Sequence, residues 1–549
     1  MPTSEAPTRR SAHLDTFCRD ALPPLELWPE IDCSFLRYTE TLNCATELLD
    51  NNASAHGERT AILHAGGDWS YAQLLENANR IAHVLVEDLG VVPGNRILLR
   101  APNSAMLAAC WFAVLKAGAV VVCTNPLLRE RELAEIIPTA AVNVILTDAR
   151  LTGGCERATS KREAAKPSII WFNASGPSSL ETLMRGKPLD FTNCPTSQED
   201  VAIIAFTSGT TGQSKGTMHF HRDLLAVADT FARFVLQPDA SDIFCGSPSL
   251  AFTYGLGGLL LFPFRCGAST LLLEQGTPSH LLQAIQQHRA TVCFTSPTGY
   301  RAMLKHVHEF DLSSLKKCVS AGEHLPAATF ESWRRATGLK IIDGIGSTEM
   351  LHMFISSSGD DIRPGATGKI VLGYQAKVVD DEGREVAPGT IGRLAVRGPT
   401  GCRYLNNPEQ QKKYVQEGWN FTNDSFHTDT DGYFWYHART DDMIVSSGYN
   451  ISGVEIENVL LAHPKVAECA VVGIPDADRG QIVKAFVVPA PGCSADTALA
   501  KELQDFVKAE IAPYKYPRAV EFMDSLPRNA NGKLQRYRLR DKSAQNENH

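Results

Sequence analysis

Paired cysteines are missing from this 549-residue chain: its fourteen cysteines are scattered singly, with no C-x-x-C spacing. That excludes a disulfide framework and the common zinc motifs. It fits reduced, mostly buried thiols, so a cytoplasmic protein is expected. A basic excess is missing too. With 53 lysines and arginines against 61 acidic residues, the formal charge of -8 argues against a broad nucleic-acid-binding surface, and no nucleic-acid partner is expected. No internal repeat or low-complexity tract occurs, and 44% hydrophobic with 21% charged residues is ordinary for a soluble enzyme. Long apolar runs are also absent. The longest such window, "AMLAACWFAVLKAGAVVVC", carries Lys116 and Gly118 in its second half, so a buried helix followed by a buried strand is expected rather than a membrane span. The opening "MPTSEAPTRRSAHLD" lacks the apolar core of a secretory signal.

What is present is a chain too long for one hydrophobic core, so two or more domains are expected. Through its middle, short apolar runs alternate with segments of helical period: "VAIIAF" precedes "DLLAVADTFARFVL", and "CGASTLLLE" precedes "HLLQAIQQH". This predicts α/β layering with largely parallel strands. The last hundred or so residues differ. "AECAVVGIP", "VKAFVVPA" and "AVEFMD" are strand-like and "KELQDFVKAEIA" is helical, which predicts a small α+β domain beyond the charged crossing "HARTDD".

Between Thr207 and Thr217 the chain reads "TSGTTGQSKGT", five hydroxyl residues and two glycines ahead of one lysine, directly after an apolar run. Backbone N–H groups of a glycine-rich turn converge on an anion, and hydroxyls add donors without bulk, so a phosphate loop is the natural reading. It is not the common nucleotide P-loop, because Ser214 and Gly216 stand where G-x-x-x-x-G-K-[ST] needs glycine and a hydroxyl. "GLGGLL" and "GIGSTE" likewise lack the last glycine of the dinucleotide fingerprint. Three other strand-like segments run into polar, glycine-bearing loops: "AGEH" at Ala321 to His324, "GIGSTEM" at Gly344 to Met350, and "SLAFTYGLGG" ending at Gly258. Ligands of open α/β sheets bind beyond the carboxyl ends of the strands, so four such loops point to one shared site.

"TSGTTGQSKG" resembles the signature of the adenylate-forming superfamily of acyl- and aryl-CoA ligases, luciferases and peptide-synthetase adenylation domains. "GIGSTE", "GWNFTND", "ARTDDMIVSSGYNISGVEIE" and "PRNANGKLQR" follow in family order, so the resemblance spans about Thr39 to Arg540. "NPLLRERELAEI", "FTYGLGGLLLFPF" and "DGIGSTEMLHMF" look most like the benzoate-CoA and 2-aminobenzoate-CoA ligase group. The resemblance implies a large N-terminal α/β adenylation domain of several subdomains, residues 1–440. A small mobile α+β domain, 441–549, would follow, with its hinge at Asp441. It also implies two steps. A carboxylate attacks the α-phosphate of ATP to give an acyl-adenylate and pyrophosphate, and the thiol of coenzyme A then displaces AMP.

The same resemblance assigns roles. An anion attacks an anion in the first step, so cations and hydrogen-bond donors must neutralise the spreading charge. Thr207, Ser208, Gly209, Thr210, Thr211 and Gly212 would cradle phosphates, with Lys215 following the pyrophosphate. Thr348 and Glu349 would act at the reacting centre, Glu349 as the ligand of Mg2+. Ala321, Gly322 and Glu323 would line adenine on one face, and Asp343, Gly344, Ile345, Gly346 and Ser347 on the other. Ile345 stands where an aromatic residue is usual. Asp424 would bind the ribose hydroxyls, with Asn423 in place of the usual preceding glycine, and Arg439 would reach ribose or phosphate. Lys533 would enter the site for adenylation. After rotation at the hinge, Ser447, Gly448 and Tyr449 would border the pantetheine tunnel. The basic tail "KLQRYRLRDK" would help to hold coenzyme A phosphates.

For the acyl pocket, Tyr254, Gly255, Ile345 and His352 are expected to form an apolar slot with one or two polar handles, His352 lying on a helix. His219 and His221 have an H-x-H spacing without a nearby third ligand. His221 matches a histidine beside the phosphate loop in the superfamily, where it would position the loop. The partners implied are ATP, coenzyme A and a small aromatic carboxylate, with a symmetric homodimer as the default for a soluble oligomer. Alternatives are an aryl adenylation enzyme that loads a carrier protein, a medium-chain fatty acyl-CoA ligase and a non-catalytic nucleotide-binding protein.

Overall fold

The computed structural model describes residues 11–151, 153–160, 166–208, 214–439, 442–446, 449–476, 479–528 and 534–546. β1 (Thr60–Leu63) and β2 (Trp69–Ser70) form an antiparallel pair. Four strands separated by helices follow: β3 (Arg96–Arg100), β4 (Val120–Thr124), β5 (Val144–Asp148) and β6 (Ser168–Phe172). β7 (Val201–Ser208) and β8 (Ser214–Phe220) then run antiparallel. These six make one sheet in the order β6-β5-β3-β4-β7-β8, parallel except for its β8 edge. The apolar window of the sequence is divided as its composition predicts, into the helix Ala105–Lys116 and β4. Lys116 ends that helix fully buried and paired with Asp50 at 2.5 Å.

A second run supplies β9 (Ile243–Gly246), β10 (Ser269–Leu271), β11 (Val292–Thr295), β12 (Lys317–Ser320), β13 (Ile341–Gly346), β14 (Met353–Ser356) and β15 (Lys369–Ile370). With β1 and β2 they form a nine-stranded sheet, β15-β14-β13-β12-β11-β9-β10-β1-β2, parallel from β13 to β1. The strands of both sheets are rich in Val, Ile and Cys and largely buried, as central strands covered on both faces must be. A third sheet is antiparallel: β16 (Gln375–Val379), β17 (Gly392–Arg397), β18 (Val415–Gln416), β19 (Trp419–Thr428) and β20 (Phe434–Arg439).

Beyond Arg439 the pattern changes. β21 (Ile444–Ser446) pairs β22 (Tyr449–Ile451), and β23 (Val466–Asp476), β24 (Gly480–Pro489) and β25 (Ala519–Phe522) form a three-stranded sheet. Helices Gly453–Ala462, Thr497–Glu510 and Arg536–Asn546 accompany them, and the sheet has its own apolar core around Val471, Ala485, Val487 and Leu503. The expected architecture, a large α/β part and a small α+β part, is what folds. The basic tail, however, is helical from Arg536 onward. Its Leu539 is buried and three of its cations are paired within the small part: Arg536 with Glu457, Arg540 with Asp442 and Lys542 with Glu521. Among the described residues no helix is long and apolar enough to cross a membrane.

Candidate active site

The four glycine-bearing loops leave the carboxyl ends of β7, β9, β12 and β13. Thr207 and Ser208 end β7, and Lys215 lies opposite Thr207 on β8. Gly209, Thr210, Thr211 and Gly212 lie outside the described residues, as do Lys533, Asp441, Ser447 and Gly448. Tyr449 opens β22.

Beneath the phosphate segment, backbone bonds tie β8 to residues 403–405: Met218 N–H donates to Arg403 O at 2.8 Å, and Leu405 N–H to Gly216 O at 2.9 Å. The Tyr404 hydroxyl, nearly buried, donates to Glu349 Oε1 at 2.7 Å. Tyr404 therefore couples the strand carrying Lys215 to the carboxylate of the STE turn. Ser347 Oγ caps that turn by accepting from Met350 N–H at 3.2 Å and lies 3.3 Å from the Tyr414 hydroxyl. His219 completes the support, its Nε2–H donating to Thr348 O at 2.8 Å. Burial holds the His219 imidazole down at about 4, so it stays neutral.

His221 is placed otherwise than expected. It begins the helix His221–Val227 at the far end of β8 from the phosphate loop, and seven residues of extended chain carry it about 23 Å away. There it is fully buried, accepting at Nδ1 from Cys44 N–H at 3.2 Å. It supports the core, while His219, two residues earlier, is the histidine that bonds the STE turn at Thr348.

Around the adenine loops, Gly322 has φ +88°, which a side chain would resist. The Glu323 carboxylate does not face an open slot. Its Oε2 accepts from Thr298 Oγ1 at 2.6 Å and its Oε1 from Arg528 at 3.1 Å. Asp343 Oδ1 is buried with no hydrogen-bond partner, and burial pushes its carboxyl well above the usual range. A buried acceptor without a donor suits an exocyclic amino group, as adenine carries. Ala321, Gly344 and Ile345 lie beside it, buried or half-buried, while Gly346 is exposed. His324 stacks on Tyr436 with centroids 5.8 Å apart and an interplanar angle of 22°.

Asp424 and Arg439 are direct partners across β19 and β20. Asn423, before Asp424, stands in the position where the family usually has glycine. Its φ is +60°, the left-handed conformation that asparagine tolerates best after glycine, so Asn423 does the work of the missing glycine.

The acyl pocket differs from expectation in two ways. The Tyr254 hydroxyl lies 3.1 Å from Thr295 O and 3.0 Å from Val319 O, so Tyr254 presents its ring and no polar handle. His352 is not on a helix but in a bend before β14, preceded by Leu351 at φ +70°. A buried leucine in that conformation costs roughly 1–2 kcal/mol, and the strain aims the imidazole inward. It is 3% exposed, packs on Phe262, Phe231 and Tyr254 at centroid distances of 4.6, 5.3 and 5.8 Å, and has no hydrogen-bond partner at either ring nitrogen. Burial pulls it down to about 3, so it is neutral. Gly257 makes room for it, since a Cβ there would lie 2.3 Å from His352 Cδ2. Gly255 is equally constrained, its Cβ position lying 2.1 Å from Ser249 O. Tyr404 and Tyr414 carry no local motif, and the segments that hold His219 and Gly257 do not single those residues out. Only the fold brings them to the site.

The chain matches the family model described as AMP-binding enzyme over residues 49–404, and that of the AMP-binding enzyme C-terminal domain over 455–533. It is 34% identical to the benzoate–CoA ligase of Thauera aromatica over 512 residues, 92% of this chain and 97% of that protein. It is 31% identical to the 3-hydroxybenzoate–CoA ligase of Aromatoleum sp. (strain CIB), over 91% of this chain and 97% of that protein. Among solved structures, the anthranilate CoA ligase AuaEII in complex with anthranoyl-AMP superimposes with a TM-score of 0.90 at 34% identity, covering 94% of this chain and 100% of that one. The chain belongs to the AMP-binding enzyme family. Within it, the chain is an AMP-forming acid–CoA ligase.

Proposed function

We propose that this enzyme is an ATP-dependent aryl-CoA ligase. It would join a benzoate-type acid, with 2-aminobenzoate or another hydrogen-bonding benzoate favoured, to coenzyme A through an acyl-adenylate. The observation that carries the substrate class is His352: a neutral, unpartnered imidazole among three aromatic rings, on the strand pair that also carries the STE turn. A flat ring suits that cage, and an amino or hydroxyl substituent would satisfy a ring nitrogen that a fatty acyl chain would leave unpaired. The relatives named for benzoate, 3-hydroxybenzoate and anthranilate agree with this reading.

In the first step Lys215 and Lys533 offset the repulsion between carboxylate and phosphates, and hydroxyls and N–H groups of residues 207–212 hold the phosphoryl oxygens. Asp343 takes the adenine amino group, and Asp424 with Arg439 the ribose. Glu349 offers one carboxylate, oriented by Tyr404, which fits an Mg2+ held mainly by phosphate oxygens; when bound, the ion neutralises phosphate charge. Among the described residues no cluster of three metal-ligating side chains stands ready. A boundary at 440/441 with a hinge at Asp441 then lets the small domain turn from Lys533 to the face of residues 446–450 for thioester formation.

The test is AMP release with ATP and magnesium, with and without coenzyme A, across benzoate, 2-aminobenzoate, hydroxybenzoates, phenylacetate and octanoate. Turnover that depends on coenzyme A and is strongest with a substituted benzoate is expected. Adenylation indifferent to coenzyme A would instead indicate a carrier-protein-loading enzyme, and preference for octanoate would overturn the aryl assignment.

A further inference from the structure

Arg528 stands in an unusual place. It forms an antiparallel bridge with Leu534, and Gln535 N–H donates to Pro527 O at 2.9 Å, so Arg528 stands five residues before Lys533 and is paired with the residue that follows it. Its guanidinium leaves the small domain. One nitrogen donates to Glu323 Oε1 at 3.1 Å, and Glu323 is held in turn by the Thr298 hydroxyl and N–H. Another donates to Glu468 Oε2 on β23 at 2.9 Å, and Arg301 of the helix Pro297–Met303 reaches the same oxygen at 3.4 Å. Asn458 adds a crossing contact, its amide 3.1 Å from His324 Nε2. Charges thus alternate across the two parts of the chain: Glu323, Arg528, Glu468, Arg301. The first and last belong to the large part and the middle two to the small part.

We propose that this four-residue ion network is a latch that selects the adenylate-forming pose, with Arg528, Glu468 and Arg301 as positioning residues for Lys533. The proposal rests on the two-pose reading above. It deepens that reading by naming what holds one pose. Four charges with side chains between one-fifth and one-third exposed are partly screened, so the network favours one pose without locking it. A weak latch suits a domain that must leave this pose once per turnover. The anchor also lies on the adenine loop, so the Arg528–Leu534 pair that flanks Lys533 in sequence is registered against the loop that would receive the nucleotide.

The experiment compares Glu468→Gln, Arg301→Ala and the double variant with the parent enzyme in separate half-reactions. Each single change is expected to slow ATP–pyrophosphate exchange about fivefold at low salt, the loss of one partly screened ion pair or two. Thioester formation from supplied acyl-adenylate should stay within about twofold. The double variant should lose less than the product of the singles, because they break one connection. Added salt should narrow the gap by weakening the parent. Amide exchange along the helix Gly453–Ala462 should quicken in Glu468→Gln but not in Glu502→Gln, whose ion pair with Lys465 lies within the small domain. Equal loss of both half-reactions, or no change in either, overturns the latch. Lys533→Ala on the same preparation separates the two failures. If it divides the half-reactions while Glu468→Gln does not, only the latch falls; if it lowers both alike, the two-pose reading falls with it.

Discussion

Among the described residues, buried side-chain polar atoms without a partner are concentrated in the large part of the chain, and the small part holds two, Asn458 Oδ1 and Gln535 Oε1. In the large part, Asp343 Oδ1 and both nitrogens of His352 are buried without partners, as is Ser320 Oγ on the strand beside Asp343. In the small part, Arg536 meets Glu457 through two bonds at 2.8 and 2.7 Å, Arg540 meets Asp442, Lys542 meets Glu521 and Lys515 meets Glu455. A buried orphan costs about 1–3 kcal/mol and persists where a ligand will satisfy it. A paired cation is already satisfied and has less to offer a ligand. On the reading proposed above, recognition belongs to the large part, and the small part contributes chiefly what it moves into the site.

That division fails most visibly if Lys533 is dispensable. Lys533→Ala should lower adenylate formation by about a hundredfold or more, while thioester formation from a supplied adenylate stays near the parent rate. Pyrophosphate exchange and single-turnover thioester assays measure the two arms, and equal losses would erase the distinction between the parts.

The next effect is on stability and lies in the large part, where all five of the histidines concerned sit. Burial holds His219, His324 and His437 at about 4 and His221 and His352 at about 3. These groups are neutral in the native protein but take up protons near pH 6.5 when unfolded. Their contribution is therefore complete above pH 6.5 and is lost progressively as pH falls from there toward 3. For each fully shifted histidine the slope approaches about 1.4 kcal/mol per pH unit. Denaturant titrations at pH 7 and pH 5 should show the fall. His221→Gln, remote from the site, should flatten it by about one proton's worth without altering substrate preference.

The glycine-rich loops, their positions after parallel strands and the change to a small α+β domain were legible in the sequence because backbone chemistry writes them locally. Asn423 was legible as a departure but not as a solution, since its left-handed φ is a property of the bulged β19. His221 misled because a match to a superfamily histidine beside the phosphate loop says nothing of which end of β8 it occupies in this chain. Tyr404 was invisible. Its hydroxyl reaches Glu349 across 55 positions, and no pattern in "CRYLNNPE" marks a carboxylate partner. The cations of the tail looked available for phosphate because the acids that neutralise them, Glu457, Asp442 and Glu521, are distant in sequence.

Tyr404→Phe sharpens the contrast within the large part, between groups that bind and groups that hold. It removes one hydroxyl from the carboxylate and leaves the ring packed against Tyr414, 5.8 Å away. Supports of this kind change metal affinity or activity about 10- to 100-fold. The magnesium concentration for half-maximal adenylation should rise, and calorimetry should show weaker ATP binding with magnesium but unchanged binding without it. A uniform loss at every magnesium concentration would mean that Tyr404 only supports the fold.

His352→Leu tests whether the orphaned imidazole reads the substrate. It should narrow the ratio of kcat/KM between 2-aminobenzoate and benzoate by about tenfold, the worth of one hydrogen bond in a closed site. An unchanged ratio with lower activity on both acids would assign His352 to packing.

The smallest effect is an expected absence. Arg540→Gln removes one cation from the tail and leaves Asp442, beside the crossing between the two parts, without its partner at 2.6 Å. If the tail cations serve the small domain, the KM for coenzyme A should stay within about twofold, while stability falls by about 1 kcal/mol, as for a partly exposed pair. The opposite result, a several-fold rise in that KM with unchanged stability, would return the tail to phosphate binding. It would also show that a paired cation can exchange its carboxylate for a ligand during the cycle, so that satisfaction in one pose does not exclude recognition in the other.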